Sequence, residues 1–327
     1  MLPMRVTMRE VAAHANVSLK TVSRVVNGEP FIRPETQARV RAAIEELGWT
    51  PNLAARTLRT GRTSIVGIVV AELRRPLLAS LVEALVTEVN RHGLNAAVEP
   101  THGDPDRLAE VWAQRGRTFD ALLVVDLPPE PAASDGDGGG PVVRLDVTSL
   151  AASAVGDQVR TDLDQAVALI ERHLSVMGRA HAVQLGSGPL AGRPGVPLVE
   201  LGEPGAGAGR GDRAAGYRAA QRALVGHPGT DAMVCGTDEI ALGALAGLHA
   251  AGVAVPDDVA VIGFGALDDG WFSTPSLTTI DPDLRLLART TVDLAARRLQ
   301  GDSTASRQIP VPVTLVRRES TLGTGAR

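Results

Sequence analysis

The chain has 327 residues, 44% hydrophobic and only 2% aromatic, enough for two or three domain cores built mainly from Ala, Val and Leu. No apolar run reaches membrane-spanning length and the N-terminus has no apolar leader, so neither a membrane span nor a secretory signal is expected; one cysteine, Cys235, excludes an intrachain disulfide and fits a cytoplasmic protein. The net charge of −4 hides an asymmetry, because residues 1–62 carry ten Lys/Arg against five Asp/Glu (net +5) and the remainder 23 against 32 (net −9). A basic head on an acidic body is what a phosphate-binding module joined to a sensor would show, although chance can also produce such an asymmetry. Lys20 is the only lysine.

Thr7-Met-Arg-Glu10 reads as a capping box opening a short helix marked by Val11, Ala12 and Ala15. Asn16-Val17 breaks it, and Ser18 is a good N-cap for a second helix. There Val22, Val25 and Val26 share one face, while Lys20, Arg24 and Asn27 share the other. Gly28 ends that helix. A third starts near Pro34, buries Val40, Ile44 and Leu47, and stops at Gly48. Two short helices, a tight turn and a third helix describe a helix-turn-helix domain. In that setting Ser18 and the helix N-terminus can grip a phosphate, and Lys20 and Arg24 can donate to guanine O6/N7. From spacing alone, a solvated face on an ordinary three-helix bundle fits equally well.

The run Thr7-Met-Arg-Glu-Val-Ala-Ala-His-Ala-Asn-Val-Ser18-Leu-Lys-Thr21-Val-Ser-Arg24-Val-Val-Asn27-Gly28 closely resembles the DNA-binding head of the lactose-repressor (LacI) family. The likeness continues through Thr36, Glu46-Leu-Gly-Trp49 and Pro51-Asn52-Leu-Ala-Ala-Arg-Thr-Leu58. The resemblance implies base reading by Leu19, Lys20 and Arg24. It implies sugar-phosphate contacts from Thr7, Ser18, Thr21, Ser23, Asn27, Thr36 and Asn52. Residues 51–59 resemble the family's hinge helix, with Ala55 and Leu58 at the minor groove and Leu58 as the wedge that kinks a base step. So short a segment is not helical alone in water, so it is expected to fold against DNA and a partner chain.

From residue 64 the pattern alternates. Strands are predicted over 65–70, 94–98, 121–125, 141–145, 181–185, 232–235 and 259–264. Helices are predicted over 77–92, 105–115, 164–177, 212–225 and 239–251. The expected fold is thus an N-terminal all-α helix-turn-helix domain (1–50), a hinge helix and linker (51–62), and an α/β two-lobed sensor of two doubly wound parallel sheets (63–327). By resemblance the sensor is periplasmic-binding-protein-like. That likeness rests on Cys235-Gly-Thr-Asp238-Glu-Ile-Ala-Leu-Gly-Ala, Val255-Pro-Asp-Asp-Val-Ala-Val-Ile-Gly-Phe264 and Thr274-Pro-Ser-Leu-Thr-Thr-Ile280.

Effector candidates by resemblance are Asp146, Thr237 and Asp238, with Arg213 as a match in spacing and Trp271 as a stacking face. Asp146 and Asp238 fit capping or turn work equally well. Two departures stand out: Gly263-Phe-Gly-Ala266 replaces the family's Gly-Tyr-Asp-Asp, and 191–211 is short and rich in Gly and Pro. The Gly186-Ser-Gly188-Pro-Leu-Ala191 run lacks the acidic partner of a dinucleotide site. Residues 128–141 lack the closing Glu of a calcium loop and read as a surface loop. No cofactor and no metal is expected. The expected partners are a double-stranded palindromic operator, a second copy of the chain and a small-molecule, carbohydrate-like effector, with no membrane.

Overall fold

The computed structural model describes residues 6–26, 29–49, 61–127, 139–148, 156–201 and 212–323. The chain divides into two compact units, Met1–Thr63 and Ser64–Arg327.

The first unit holds α1 (Met8–His14), α2 (Leu19–Val26) and α3 (Pro34–Glu46). The capping box forms as read: the Glu10 amide donates to the Thr7 hydroxyl, and the Glu10 carboxylate accepts from the Thr7 amide at 2.6 Å. That pairing also lowers the Glu10 pKa. Asn16 turns the chain at φ +52°, a left-handed conformation its short amide tolerates. Pro34 opens α3 at a first-turn position, where its missing N–H costs nothing. The core is small: Val11, Ala12, Ala15, Val22, Val25, Val40, Ala43 and Trp49. Ile44 and Leu47, expected inside, are only partly buried against it, and Ala43 is the α3 residue buried beside Val40.

The second unit contains two six-stranded sheets. The first is built from β1 (Ile65–Val70), β2 (Asn95–Pro100), β3 (Ala121–Val125), β4 (Val142–Asp146), β5 (Asp157–Thr161) and β11 (Gln308–Val311). Its order is β11-β5-β4-β3-β1-β2, with every pair parallel. The second comprises β6 (Ala182–Leu185), β7 (Leu198–Val199), β8 (Ala232–Cys235), β9 (Ala260–Phe264), β10 (Thr278–Asp281) and β12 (Thr314–Val316). Its order is β12-β10-β9-β8-β6-β7, parallel except for the β10–β12 pair. Reversal of strand order at β1 and β6 makes both sheets doubly wound.

Crossover helices are α4 (Pro76–Arg91), α5 (Pro105–Trp112), α6 (Leu163–Val176), α7 (Arg213–Gly226) and α8 (Asp238–Ala250). Later come α9 (Asp268–Phe272), α10 (Leu284–Leu299) and α11 (Glu319–Leu322). The chain passes between sheets three times, after β5, β10 and β11. One apolar cluster joins them: Ile68, Leu123 and Leu145 of the first sheet, Val234 and Ile262 of the second, and Leu81, Ile170 and Val292 from α4, α6 and α10. No helix among the described residues is long and apolar enough to cross a membrane.

Most predicted elements sit within a few residues of their observed bounds; the helix expected over 105–115 ends at Trp112. The strand β5, Asp-Gln-Val-Arg-Thr, was not expected from its pattern, because only Val159 joins the apolar cluster and its buried polar residues rest on hydrogen bonds. Its Gln158 is fully buried and donates to Asp146.

Candidate nucleic-acid interface and sensor cleft

On the first unit, burial of Val22 and Val25 turns the opposite face of α2 outward. Leu19 is 45% exposed, Lys20 is exposed, and Arg24 lies one turn further on the same face. The Thr21 amide donates to the Ser18 hydroxyl at 3.1 Å, so Ser18 caps α2, and the two hydroxyls lie 2.8 Å apart. These hydroxyls lie beside the first-turn N–H groups, the kind of donor that a helix start can offer an anion. Thr7 caps α1, and Ser23 and Thr36 are half-buried. Arg24 Nε donates to Glu29 at 2.8 Å, a partner the sequence reading missed; only its position just past Gly28 hinted at it. Asn27, Asn52, Ala55 and Leu58 lie outside the described residues. The described face can do what a major-groove reader needs: present two cations and an apolar side chain from one helix, beside hydroxyls at its start.

In the second unit, loops leaving the C-terminal ends of parallel strands are where doubly wound sheets bind ligands. Asp146 ends β4 and is buried. Burial raises its pKa, while the Gln158 amide and Arg144, 3.4 Å away, pull it back. Asp126, just past β3, accepts from the Val147 and Thr148 amides at 2.8 and 3.2 Å and from the Thr148 hydroxyl at 3.1 Å. Burial also raises the Asp126 pKa. The sequence reading overlooked Asp126, Arg144 and Gln158; only Asp126, an acid at a strand end, carried a visible signal.

Past β8, Thr237 caps α8 by accepting from the Ile240 amide at 3.3 Å. Asp238 is fully buried and accepts from the Leu267 amide at 2.7 Å and the Thr279 hydroxyl at 2.6 Å. Burial pushes its pKa up to about 6, against the pull of those donors. Thr237 thus caps α8 from within, while Asp238 holds the start of α8 to the loop after β9 and to β10. Arg213 pairs with Asp269 at 2.9 Å, both about half exposed. Trp271 is 62% exposed, with the Arg318 guanidinium 4.9 Å from its ring centre. No hydrogen bond or ion pair among the described residues joins Asp146 to Asp238 or Arg213. Where the family motif departs, Gly265 sits at φ +129°, and a Cβ there would lie 3.1 Å from Leu77 of α4. Glu239, whose pKa burial raises, feels both Arg75, before α4, and Arg213. Cys235 is fully buried, and its thiol pKa is driven upward.

A basic helix-turn-helix head followed by two doubly wound sheets defines a DNA-binding regulator with an effector-binding domain. Residues 7–52 match the lacI family of bacterial regulatory proteins, and 193–321 a periplasmic binding protein-like domain. The chain is 30% identical over 332 residues to the HTH-type transcriptional repressor PurR of Salmonella typhi, covering 96% of each. Among solved structures it is similar to the lac repressor dimer bound to operator and the anti-inducer ONPF, with a TM-score of 0.76 and 24% identity, covering 97% of this chain and 99% of that one. It is also similar to the regulator CelR in complex with cellobiose, with a TM-score of 0.65 and 24% identity, covering 97% and 100%. The chain belongs to the LacI family of transcriptional regulators and is not an enzyme.

Proposed function

We propose that the chain is a repressor that binds a palindromic operator as a homodimer and is tuned by a small molecule held between the two sheets of its sensor. Residues 1–50 read DNA, 51–62 form the hinge, and 63–327 sense the effector and dimerise. The observation that carries this reading is the outward face of α2, where Leu19, Lys20 and Arg24 stand clear of the core beside the Ser18–Thr21 corner. Two-fold symmetric dimers read two-fold symmetric sites, and the PurR and lac repressor likenesses favour that arrangement. Phe272 at 81% exposure, beside Trp271, offers an apolar surface suited to a subunit contact. Arg24→Ala should weaken operator binding by about 1–3 kcal/mol and relax preference at one base pair of each half-site. Selection from a random duplex library followed by footprinting tests this; unchanged affinity and preference in the variant would remove α2 from the reading role.

A second reading concerns the effector. Thr237 and Asp238 are committed to internal hydrogen bonds, and Leu77 packs where the family motif would place a carboxylate. These features favour a non-sugar effector, or none, over a hydroxyl-rich sugar, whose many donors need charged or polar acceptors. Thermal-shift screening with monosaccharides, nucleobases and phosphorylated metabolites separates the cases. Clear stabilisation by one plain monosaccharide would restore the sugar reading.

A further inference from the structure

A guanidinium has two hydrogen-bonding edges. One carries Nε–H and an Nη2–H; the other carries one N–H from each Nη. In Arg24 the first edge is taken. Glu29 accepts from Nε at 2.8 Å, and the Pro30 carbonyl accepts more weakly from Nη2 at 3.4 Å. Among the described residues nothing occupies the second edge, whose two parallel donors match O6 and N7 of guanine. The backbone fixes this partner. The Glu29 amide donates to the Arg24 carbonyl at 3.0 Å, so main chain as well as side chain ties Glu29 to the turn that carries Arg24. Lys20, on the same face, has no side-chain hydrogen bond among the described residues.

We infer that Glu29 is a positioning residue for base recognition: it holds Arg24 by its side edge, leaves the end edge for guanine, and sets the specificity of that contact. This rests on the reading of α2 as the recognition helix. Two effects follow from the geometry. An arginine restrained before docking loses less rotamer freedom when it meets its base. A carboxylate beside it also disfavours the competing pose in which Arg24 swings onto a phosphate, because that pose brings two anions together. Glu29 therefore trades some general affinity for discrimination. The pair is exposed, about 39% and 46%, so the expected effect is modest.

The test uses the full chain, wild type and the variants Glu29→Gln, Arg24→Ala and the double variant, on duplexes carrying the selected operator and its single-base-pair changes. Wild type should prefer guanine at the Arg24 position, and Arg24→Ala should lose that preference by about tenfold or more. Glu29→Gln should lose about threefold to fivefold of the same preference, at that base pair and no other, while binding to unrelated duplex rises. In the Arg24→Ala background it should change no preference. If Glu29→Gln kept full discrimination and tightened binding equally to all sequences, Glu29 would act only through its charge and the inference would fall. If Arg24→Ala kept wild-type preference, the helix assignment itself would fall. Far-ultraviolet circular dichroism and melting of Glu29→Gln identify any loss caused by misfolding; in that case Glu29→Asp, which keeps the charge on a shorter reach, must show a partial loss at the same base pair or the inference is lost.

Discussion

The two units use the same short polar residues in opposite ways. In the head, Ser18, Thr21 and Thr7 sit at helix starts, where their hydroxyls bond only within the first turn and stay at the exposed surface. In the sensor, Thr237, Asp238, Asp146 and Thr279 also sit at element ends, but their oxygens are spent inside the protein. Among its described residues the head has a core of eight buried side chains and little interior in which to hide a polar group. The sensor has sheets covered on both faces, so its strand-end polar groups must find partners or remain unsatisfied. A polar residue at an element end therefore points to function in a thin domain and to architecture in a thick one.

Four variants probe that contrast. The largest expected effect is Leu77→Ala, which removes a buried side chain from the large apolar cluster and opens space against Gly265; it should cost about 2–5 kcal/mol. Denaturant melts followed by separate probes should show the sensor transition falling and the head transition unmoved. Val40→Ala should cost about 2 kcal/mol by loss of buried methyl groups. In so small a core that is enough to abolish DNA binding while the sensor still melts normally. If both transitions moved together in either variant, the units would not be independent.

Asp238 supplies a pH test. Its folded pKa of about 6 lies above the ordinary carboxylate value, so between roughly pH 4 and 6 the folded chain holds a proton that the unfolded chain has released. This contribution makes the sensor more stable as pH falls from 7 towards 4, by about 1–3 kcal/mol, and that gain is lost as pH rises through 6. Asp238→Asn should remove this slope; an unchanged profile in urea melts from pH 4.5 to 7.5 would place the carboxylate in a wetter setting. The smallest effect is Thr7→Ala, about 1 kcal/mol from loss of the α1 cap. Thr7→Ser should restore it in thermal unfolding of the head.

The head was readable from sequence because each of its signals has a local cause. The capping box, the break at Asn16, Pro34 and the valine face act within one or two turns, and they formed as expected; the left-handed turn at Asn16 is how the break is made. Strand–helix alternation likewise made the doubly wound class visible. What stayed hidden depends on contacts distant in sequence. β5 is polar because Gln158 answers Asp146 across a strand pair, which no periodicity reveals. Asp238 reads equally as a ligand group or a brace until Thr279, 41 residues later, is seen to donate to it. Glu29 gave only a faint signal, its place just past Gly28, because its pairing depends on the backbone bond that ties it to Arg24.

The late strands have a bearing on synthesis. β11 and β12 lie within nine residues of each other, yet one edges the first sheet and the other the second. As the chain leaves the ribosome, the head can fold once residues 1–63 have emerged, whereas the first sheet must wait for β11 and the second for β12, about 250 residues later. A premature stop codon before residue 308 would thus release a reader whose sensor lacks a border on both lobes.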